Sequence, residues 1–306
     1  MIHNQSQTLD RYKSHWFEDW VRGAAYRLAS ALARYLVRRG HFQGLRSNLA
    51  VIYGLPQGSL LLEERVIENL RNAFVCYVDF FIIAIRGPEA IDAACDLDPK
   101  SLRLIESHVE QGKGVVLVAP HSSSLDIFML AMSRHFPDIQ ALTLAQPPLN
   151  TRMMNRLRGK YGMQLTPITS SSLRKAVRRL RSGGIVGIAA DVPTPYGAQL
   201  NLFGKPCLLP IGHTRLAEST DSAIVVGVSQ RIGPGQYRGF GIEVQPQGTD
   251  EEDWAAATIK VLEEHIMARP QEWFMPPPLW PSAGPAAPLL FQHRLPPALT
   301  SRLIQG

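Results

Sequence analysis

The chain contains nine histidines, and one of them stands where chemistry can be done. In Val118-Ala119-Pro120-His121-Ser122-Ser123-Ser124-Leu125-Asp126 an apolar run ends, a histidine follows, and an aspartate comes five residues later. The run predicts a short buried strand, and in open α/β sheets the carboxyl ends of strands are where ligands bind. A histidine there can serve as a general base. An aspartate within hydrogen-bond reach fixes its tautomer and stabilises the imidazolium that forms. The intervening serines suit a tight turn and a helix N-cap. The competing reading is a surface histidine beside a helix-capping aspartate.

The pair has no nucleophile of its own. No GxSxG elbow occurs, so Ser122, Ser123 and Ser124 are poor candidates for a hydrolase serine, which disfavours a soluble α/β hydrolase. Gly112-Lys113-Gly114 is too short for a P-loop, Gly233, Gly235 and Gly239 do not form GxGxxG, and HExxH is absent. A His–Asp pair of this kind suits a reaction in which the substrate supplies the nucleophile, typically a hydroxyl.

From Ile139 to Ala190 there is no acidic residue, while Arg152, Arg156, Arg158, Lys160, Arg174, Lys175, Arg178, Arg179 and Arg181 fall in that stretch. A positive face is expected, suited to phosphates, anionic headgroups or an acidic carrier protein. No nucleic-acid motif accompanies it. The bland alternative is a solvated pair of basic helices.

The elements that must position these residues alternate. Val115–Ala119, Ala141–Leu144, Leu165–Ile168, Ile185–Ala190, Ala223–Val228 and Gly241–Val244 read as strands. Helical segments lie near 126–134, 149–160, 171–182 and 212–219, and a last helix is expected over about Glu251–Ala268. The pattern predicts an α/β fold with a mixed, mainly parallel sheet flanked by helices. The first third is helical. Trp16, Trp20, Ala24, Leu28, Leu32 and Leu36 recur at helical spacing, flanked by Arg22, Arg27, Arg34, Arg38 and Arg39, and Gly40 stops the helix. That stripe either lies in a membrane interface or packs on the core. A second helix is expected over about 63–85. The chain then divides into a polar tail 1–13, one α/β domain 14–275 (helical region 14–87, core 100–275) and a proline-rich tail 276–306.

Composition bounds the rest. With 306 residues, 45% hydrophobic and 19% charged, the chain is globular with a sizeable core, neither disordered nor fibrous. Its net charge is +6. Cys76, Cys95 and Cys207 are odd in number and lack CxxC spacing, which argues against a disulfide framework or a cysteine zinc site and fits a reducing setting. The first fifteen residues are polar, so no signal peptide is expected. The apolar run Phe80–Ile85 is bounded by Asp79 and Arg86, far short of the ~20 residues a membrane span needs.

With these motifs in order, the chain resembles the bacterial lipid A biosynthesis acyltransferases, the lauroyl/myristoyl acyltransferases and relatives that include mycobacterial phosphatidylinositol mannoside acyltransferases. The resemblance covers about residues 14–280. It rests on a histidine, four residues and an acid directly after a strand, here His121 to Asp126. Further matches follow in order: Asn48-Leu49, Arg158 with Gly162, Asp191 after a strand, Leu202-Phe203-Gly204, Gly212 to Ala217, and Pro270-Gln271-Glu272-Trp273 through Trp280. Ser123-Ser124 stands where the family usually has Gly-Asn, and Pro277-Pro278-Leu279 replaces a His-Arg-Arg. These departures point to a difference in acceptor, or to a non-catalytic lipid- or carrier-protein-binding relative.

The resemblance implies an acyl thioester donor, on acyl carrier protein or coenzyme A, with no resident cofactor and no metal. His121 would take a proton from a hydroxyl of a glycolipid or lysolipid, Asp126 would orient His121, and the oxygen would attack the thioester directly. Arg158 or backbone N–H groups near Asp126 would stabilise the oxyanion. Asp191, Ser123 and Ser124 would contact substrate. The implied setting is the cytoplasmic face of the inner membrane, bound peripherally or monotopically to an anionic surface.

Overall fold

The computed structural model describes residues 2–143, 149–195, 197–246, 248 and 251–280; for 2–19, 149, 150 and 251 it describes the backbone alone. Four helices open the chain: α1 (Ile2–Arg38), α2 (Gln43–Tyr53), α3 (Leu60–Arg86) and α4 (Pro88–Ala94). There follow β1 (Cys95–Leu97), α5 (Pro99–Glu110), β2 (Val115–Ala119), α6 (Leu125–His135), β3 (Gln140–Thr143), α7 (Leu149–Lys160) and β4 (Gln164–Pro167). The chain continues through α8 (Ser170–Arg181), β5 (Ile185–Ala189), β6 (Ala198–Leu202), β7 (Lys205–Leu209), α9 (Gly212–Thr220), β8 (Ala223–Gly233), β9 (Gln236–Glu243) and α10 (Glu251–Ala268).

The seven-stranded sheet has the order β1-β9-β8-β2-β5-β3-β4. Strands β8, β2, β5, β3 and β4 are mutually parallel, and β9 turns back antiparallel to β8 with β1 parallel to it. The expected mixed, mainly parallel sheet is what forms. All five side chains of β2 are buried, as a strand covered by helices on both faces requires. The core accordingly splits into two clusters, one on each face of the sheet. β6 and β7 make a separate antiparallel hairpin whose tight turn places Phe203 and Gly204 in the left-handed region (φ 52° and 71°).

The strands and helices that the sequence reading places from β2 onward are present, most within a residue or two, but β8 runs on to Gly233 and β9 begins at Gln236. The sequence reading does not contain β1, the β6–β7 hairpin, α2, α4 or α5. α1 begins at Ile2, inside the stretch expected to be a polar tail. At the other end, Leu279 is buried and its N–H donates to Asn48 Oδ1, while Asn48 Nδ2 donates to the carbonyls of Met275 and Pro277. Residues 276–280 therefore belong to the folded domain and not to a tail. The rest of the expected proline-rich tail, 281–306, lies outside the described residues.

α1 packs on α3 through its small residues. Ala29, Ala33 and Val37 are buried, and Trp20, Leu28, Leu32 and Tyr35 point outward. The large-residue stripe is thus not the core face; Trp16 lies outside the residues whose side chains are described. A buried Asp79 on α3 ties α1 down, accepting from Arg22 Nε (2.9 Å), Tyr26 Oη (2.7 Å) and Tyr237 Oη (2.6 Å). Among the described residues no helix is long and apolar enough to cross a membrane. The three cysteines are unpaired and buried.

Candidate active site

β2 and β5 lie side by side, with Ala119 opposite Ala189. From its carboxyl end β2 leads through α6 to β3 on one side, whereas β5 leads through the hairpin and α9 to β8 on the other. The first connection passes β5 and the second passes β2, so the two run in opposite directions past each other, and the carboxyl ends of such strands are the general binding position of open α/β sheets. His121 stands two residues past Ala119, and Asp191 stands two residues past Ala189. Equal reach from paired positions brings the two side chains together.

His121 Nδ1 lies 2.6 Å from Asp191 Oδ1, and the His121 backbone N–H donates to Asp191 Oδ2 at 2.7 Å. Trp273 Nε1–H donates to the same Oδ2 at 2.8 Å. The Asp191 side chain is fully buried, whereas that of His121 is 41% exposed. Asp191 therefore fixes the proton on Nδ1 and leaves Nε2 as the ring's basic nitrogen, with no hydrogen-bond partner among the described residues.

Partial burial disfavours the imidazolium. The Asp191 charge and hydrogen bond, aided by Asp126 and opposed by Arg158, outweigh it, and the His121 pKa is raised above its ordinary value. Burial likewise opposes ionisation of Asp191. The charge of His121 and the hydrogen bonds from His121 and Trp273 overcome it and hold the carboxyl below its usual range.

Asp126 does not take the part given to it by spacing. It sits in the first turn of α6, and its carboxylate is paired with the guanidinium of Arg158 on α7, which also donates to Asn155 Oδ1 at 2.6 Å. The helix starts between His121 and Asp126 and carries the carboxylate away from the ring. Asp126 reaches His121 through its field alone. It also adds to burial in pushing the Tyr77 phenol up to about 12.

The two serines expected among the substrate contacts are engaged inside the protein. Ser124 Oγ is buried and bonds Ser229 Oγ on β8 at 2.8 Å. It stands at the N-cap of α6 but makes no side-chain capping bond. The N–H and Oγ of Ser123 both donate to the Glu272 carbonyl, at 2.7 and 3.0 Å. α6 itself is seated by Phe128, whose ring fills a notch in the sheet: a Cβ on Gly227 or Gly239 would come within 2.7 or 2.6 Å of it. Those glycines are needed for close helix–sheet approach.

The basic segment is only partly a face. Arg158 is committed to Asp126, Arg179 donates to the Asp138 carbonyl, and Lys175 Nζ donates to Gln164 Oε1. Arg152, Arg156 and Lys160 on α7, with Arg174 and Arg178 on α8, remain exposed. Among the described residues no group of three or more His, Cys, Asp or Glu side chains could hold a metal ion.

The description of the bacterial lipid A biosynthesis acyltransferases matches residues 19–282. The chain belongs to this family. Among curated relatives, a phosphatidylinositol mannoside acyltransferase of Mycobacterium tuberculosis (strain CDC 1551 / Oshkosh) is 24% identical over 283 residues, covering 86% of this chain and 88% of that protein. A protein of the same description from Mycolicibacterium smegmatis is 25% identical over 260 residues, covering 81% and 82%. This lipid A biosynthesis acyltransferase family member is accordingly an acyltransferase, and its His121–Asp191 pair lies just past the carboxyl ends of two neighbouring strands.

Two residues of the site escape a reading by local spacing. Trp273 enters the sequence pattern only as part of a closing motif, yet its indole reaches the buried carboxylate. Asn48 enters it as half of an Asn-Leu pair, yet it clamps the segment that carries Trp273. Asn48 follows Arg46 and Ser47 in a mixed stretch, and for neither residue does a local signal give the partner.

Proposed function

We propose that this family member is a membrane-surface O-acyltransferase that moves a fatty acyl group from a thioester, on acyl carrier protein or coenzyme A, to a hydroxyl of a glycolipid or lysolipid. His121 acts as general base. The observation that carries the reading is the imidazole held at Nδ1 by Asp191 and, among the described residues, with Nε2 unbonded on a partly exposed side chain. Nε2 takes the proton of the acceptor hydroxyl as its oxygen attacks the thioester carbon. The tetrahedral intermediate collapses, the C–S bond breaks, and the leaving sulfur takes the proton from Nε2. Positioned base catalysis of this kind contributes about 10²–10⁴-fold. Asp191 stays ionised throughout and stabilises the imidazolium. Arg158 and the N–H groups of the first turn of α6 are the donors we assign to the negative charge that develops.

The relatives are described as acting on phosphatidylinositol mannoside, so phosphoglycolipids are the first acceptors to try. The outward face of α1 supports attachment to the lipid surface at the cytoplasmic side of the inner membrane. Trp20, Leu28, Leu32 and Tyr35 are exposed there beside Arg27, Arg34, Arg38 and Arg39. An apolar stripe rimmed by arginine suits an anionic interface.

The test supplies purified protein with labelled acyl carrier protein or acyl-coenzyme A and a lipid extract, then follows the label by mass spectrometry beside His121→Ala. Label in one lipid with the wild type alone supports direct transfer. Covalent acyl-enzyme, or equal transfer by the variant, overturns it.

A further inference from the structure

We propose that Trp273 is a positioning residue for the reaction: its indole N–H, donated to Asp191 Oδ2, holds the carboxylate that in turn holds His121. The inference rests on the acyl-transfer reading for its kinetic consequence, and on geometry alone for its effect on the ring.

Asp191 is surrounded by donors. Oδ1 faces His121 Nδ1, and Oδ2 accepts both the His121 N–H and the Trp273 indole. With the side chain fully buried, these three contacts take the place of water around the charge. The other charged groups facing the ring are Asp126 at the start of α6 and Arg158 on α7, and these two neutralise each other. Among the described residues, Trp273 is therefore the one side chain besides His121 that donates to this carboxylate.

The indole cannot swing away. Asn69 Nδ2 donates to the Trp273 carbonyl at 2.8 Å, and the next residue's N–H donates to the His121 carbonyl at 2.9 Å. The Trp273 ring stands edge-on to Phe203 at 5.7 Å. Phe203 is itself held in a left-handed turn with its N–H on the Glu263 carboxylate. A non-glycine residue in that region is uncommon and persists where its surroundings fix it. Phenylalanine at 273 would fill most of the same space and donate nothing. The fold thus selects the one large aromatic side chain with a ring N–H at this point.

A donor on a carboxylate spreads its charge and weakens its pull on a neighbouring proton. Losing the indole N–H leaves Asp191 more basic and still in contact with His121 through two bonds, so the imidazolium is held more tightly. The test is a titration of the His121 ring by NMR in the full chain, for wild type, Trp273→Phe and Trp280→Phe. Trp280 is the control: it also stacks on Phe203, at 6.3 Å, but its indole N–H has no acceptor among the described residues. Trp273→Phe is expected to raise the His121 midpoint by about half a pH unit and Trp280→Phe to leave it in place. The acid limb of kcat/KM moves upward with it.

A midpoint in Trp273→Phe that falls, or stays within about 0.1 pH unit of wild type in a protein of unchanged melting temperature, overturns the proposal. If the phenylalanine variant does not fold, benzothienylalanine at 273 keeps the ring volume and removes only the N–H, and the same outcomes apply. The titration uses no substrate. A wild type that transfers no acyl group would therefore defeat the proposed function and leave this measurement standing.

Discussion

Asp191→Asn tests the catalytic reading most directly, because three contacts determine its outcome. The asparagine oxygen can replace Oδ2, where it still accepts from the His121 N–H and the Trp273 indole. That choice turns the amide NH2 toward His121 Nδ1, 2.6 Å away in the wild type. A donor there accepts no proton from the ring, so the ring proton moves to Nε2, and the nitrogen that served as the base becomes a donor. A tautomer reversal of this kind in a serine-protease triad costs about 10⁴-fold. The expected loss of kcat/KM is about 10³–10⁴-fold, or roughly 4–5 kcal/mol of transition-state stabilisation.

The pH profile supplies a second readout. In the wild type, transfer needs neutral His121, so the rate falls as pH falls through a pKa raised above about 6.5. The carboxylate that raises it is absent in the variant and burial remains, so the residual limb moves to lower pH. The assay is label transfer from acyl thioester across pH 5–9, with a melting curve to establish folding. A variant that folds and keeps its rate within about tenfold of wild type, or whose limb does not move down, refutes Asp191 as the partner of the base.

Other substitutions separate the remaining parts. Asp126→Asn with Arg158→Gln should show coupling in a double-mutant stability cycle of about 1–3 kcal/mol, discounted from a fully buried pair because both side chains keep some exposure (14% and 17%); coupling near zero would remove the pair as a brace of α6. Asn48→Ala should lower stability by about 2–4 kcal/mol in chemical denaturation, because three buried bonds to residues 275–279 go unmade; an unchanged midpoint would show that the clamp is not needed. Glutamate at Trp20, Leu28 and Leu32 together should abolish sedimentation with anionic liposomes and leave the melting temperature near wild type, since all three are exposed; full sedimentation would place the lipid-binding face elsewhere. The His121–Asp191 pair should also shape stability against pH. The Asp191 part, with its pKa lowered, is present above the unfolded aspartate value near 3.9 and lost as pH falls through the folded one; the His121 part, with its pKa raised, is present below about 6.5 and lost as pH rises through the folded value. Denaturation midpoints that vary across that window identically in wild type and Asp191→Asn would refute this.

What was legible in the sequence, and what was not, follows from the range of the interactions. The central strands β2, β5 and β8 announce themselves because a strand buried on both faces must be a nearly unbroken apolar run, and turn residues bound each one. β1 is three residues long, and β7 carries Lys205 and Pro206, so neither has that pattern. On α1 the large-residue stripe reads equally as an interface face or a core face, and Trp20, Leu28 and Leu32 of it are exposed while Leu36 packs against the core. Close approach to α3 is made by Ala29, Ala33 and Val37, and small residues leave a weak signal in a hydrophobic pattern. The same limit explains the site. His121 is legible because it follows a strand at once, and Asp191 enters only through the family resemblance; 70 residues separate them and nothing local pairs them. Spacing instead pairs His121 with Asp126, five positions away, and a helix that starts between them undoes that pairing. The register of β2 against β5 is the missing information. Once Ala119 is known to face Ala189, the two residues beyond each must meet, and the carboxylate on the far strand becomes the partner of the base. Sequence patterns therefore locate catalytic candidates strand by strand, and only sheet order decides which of them act together.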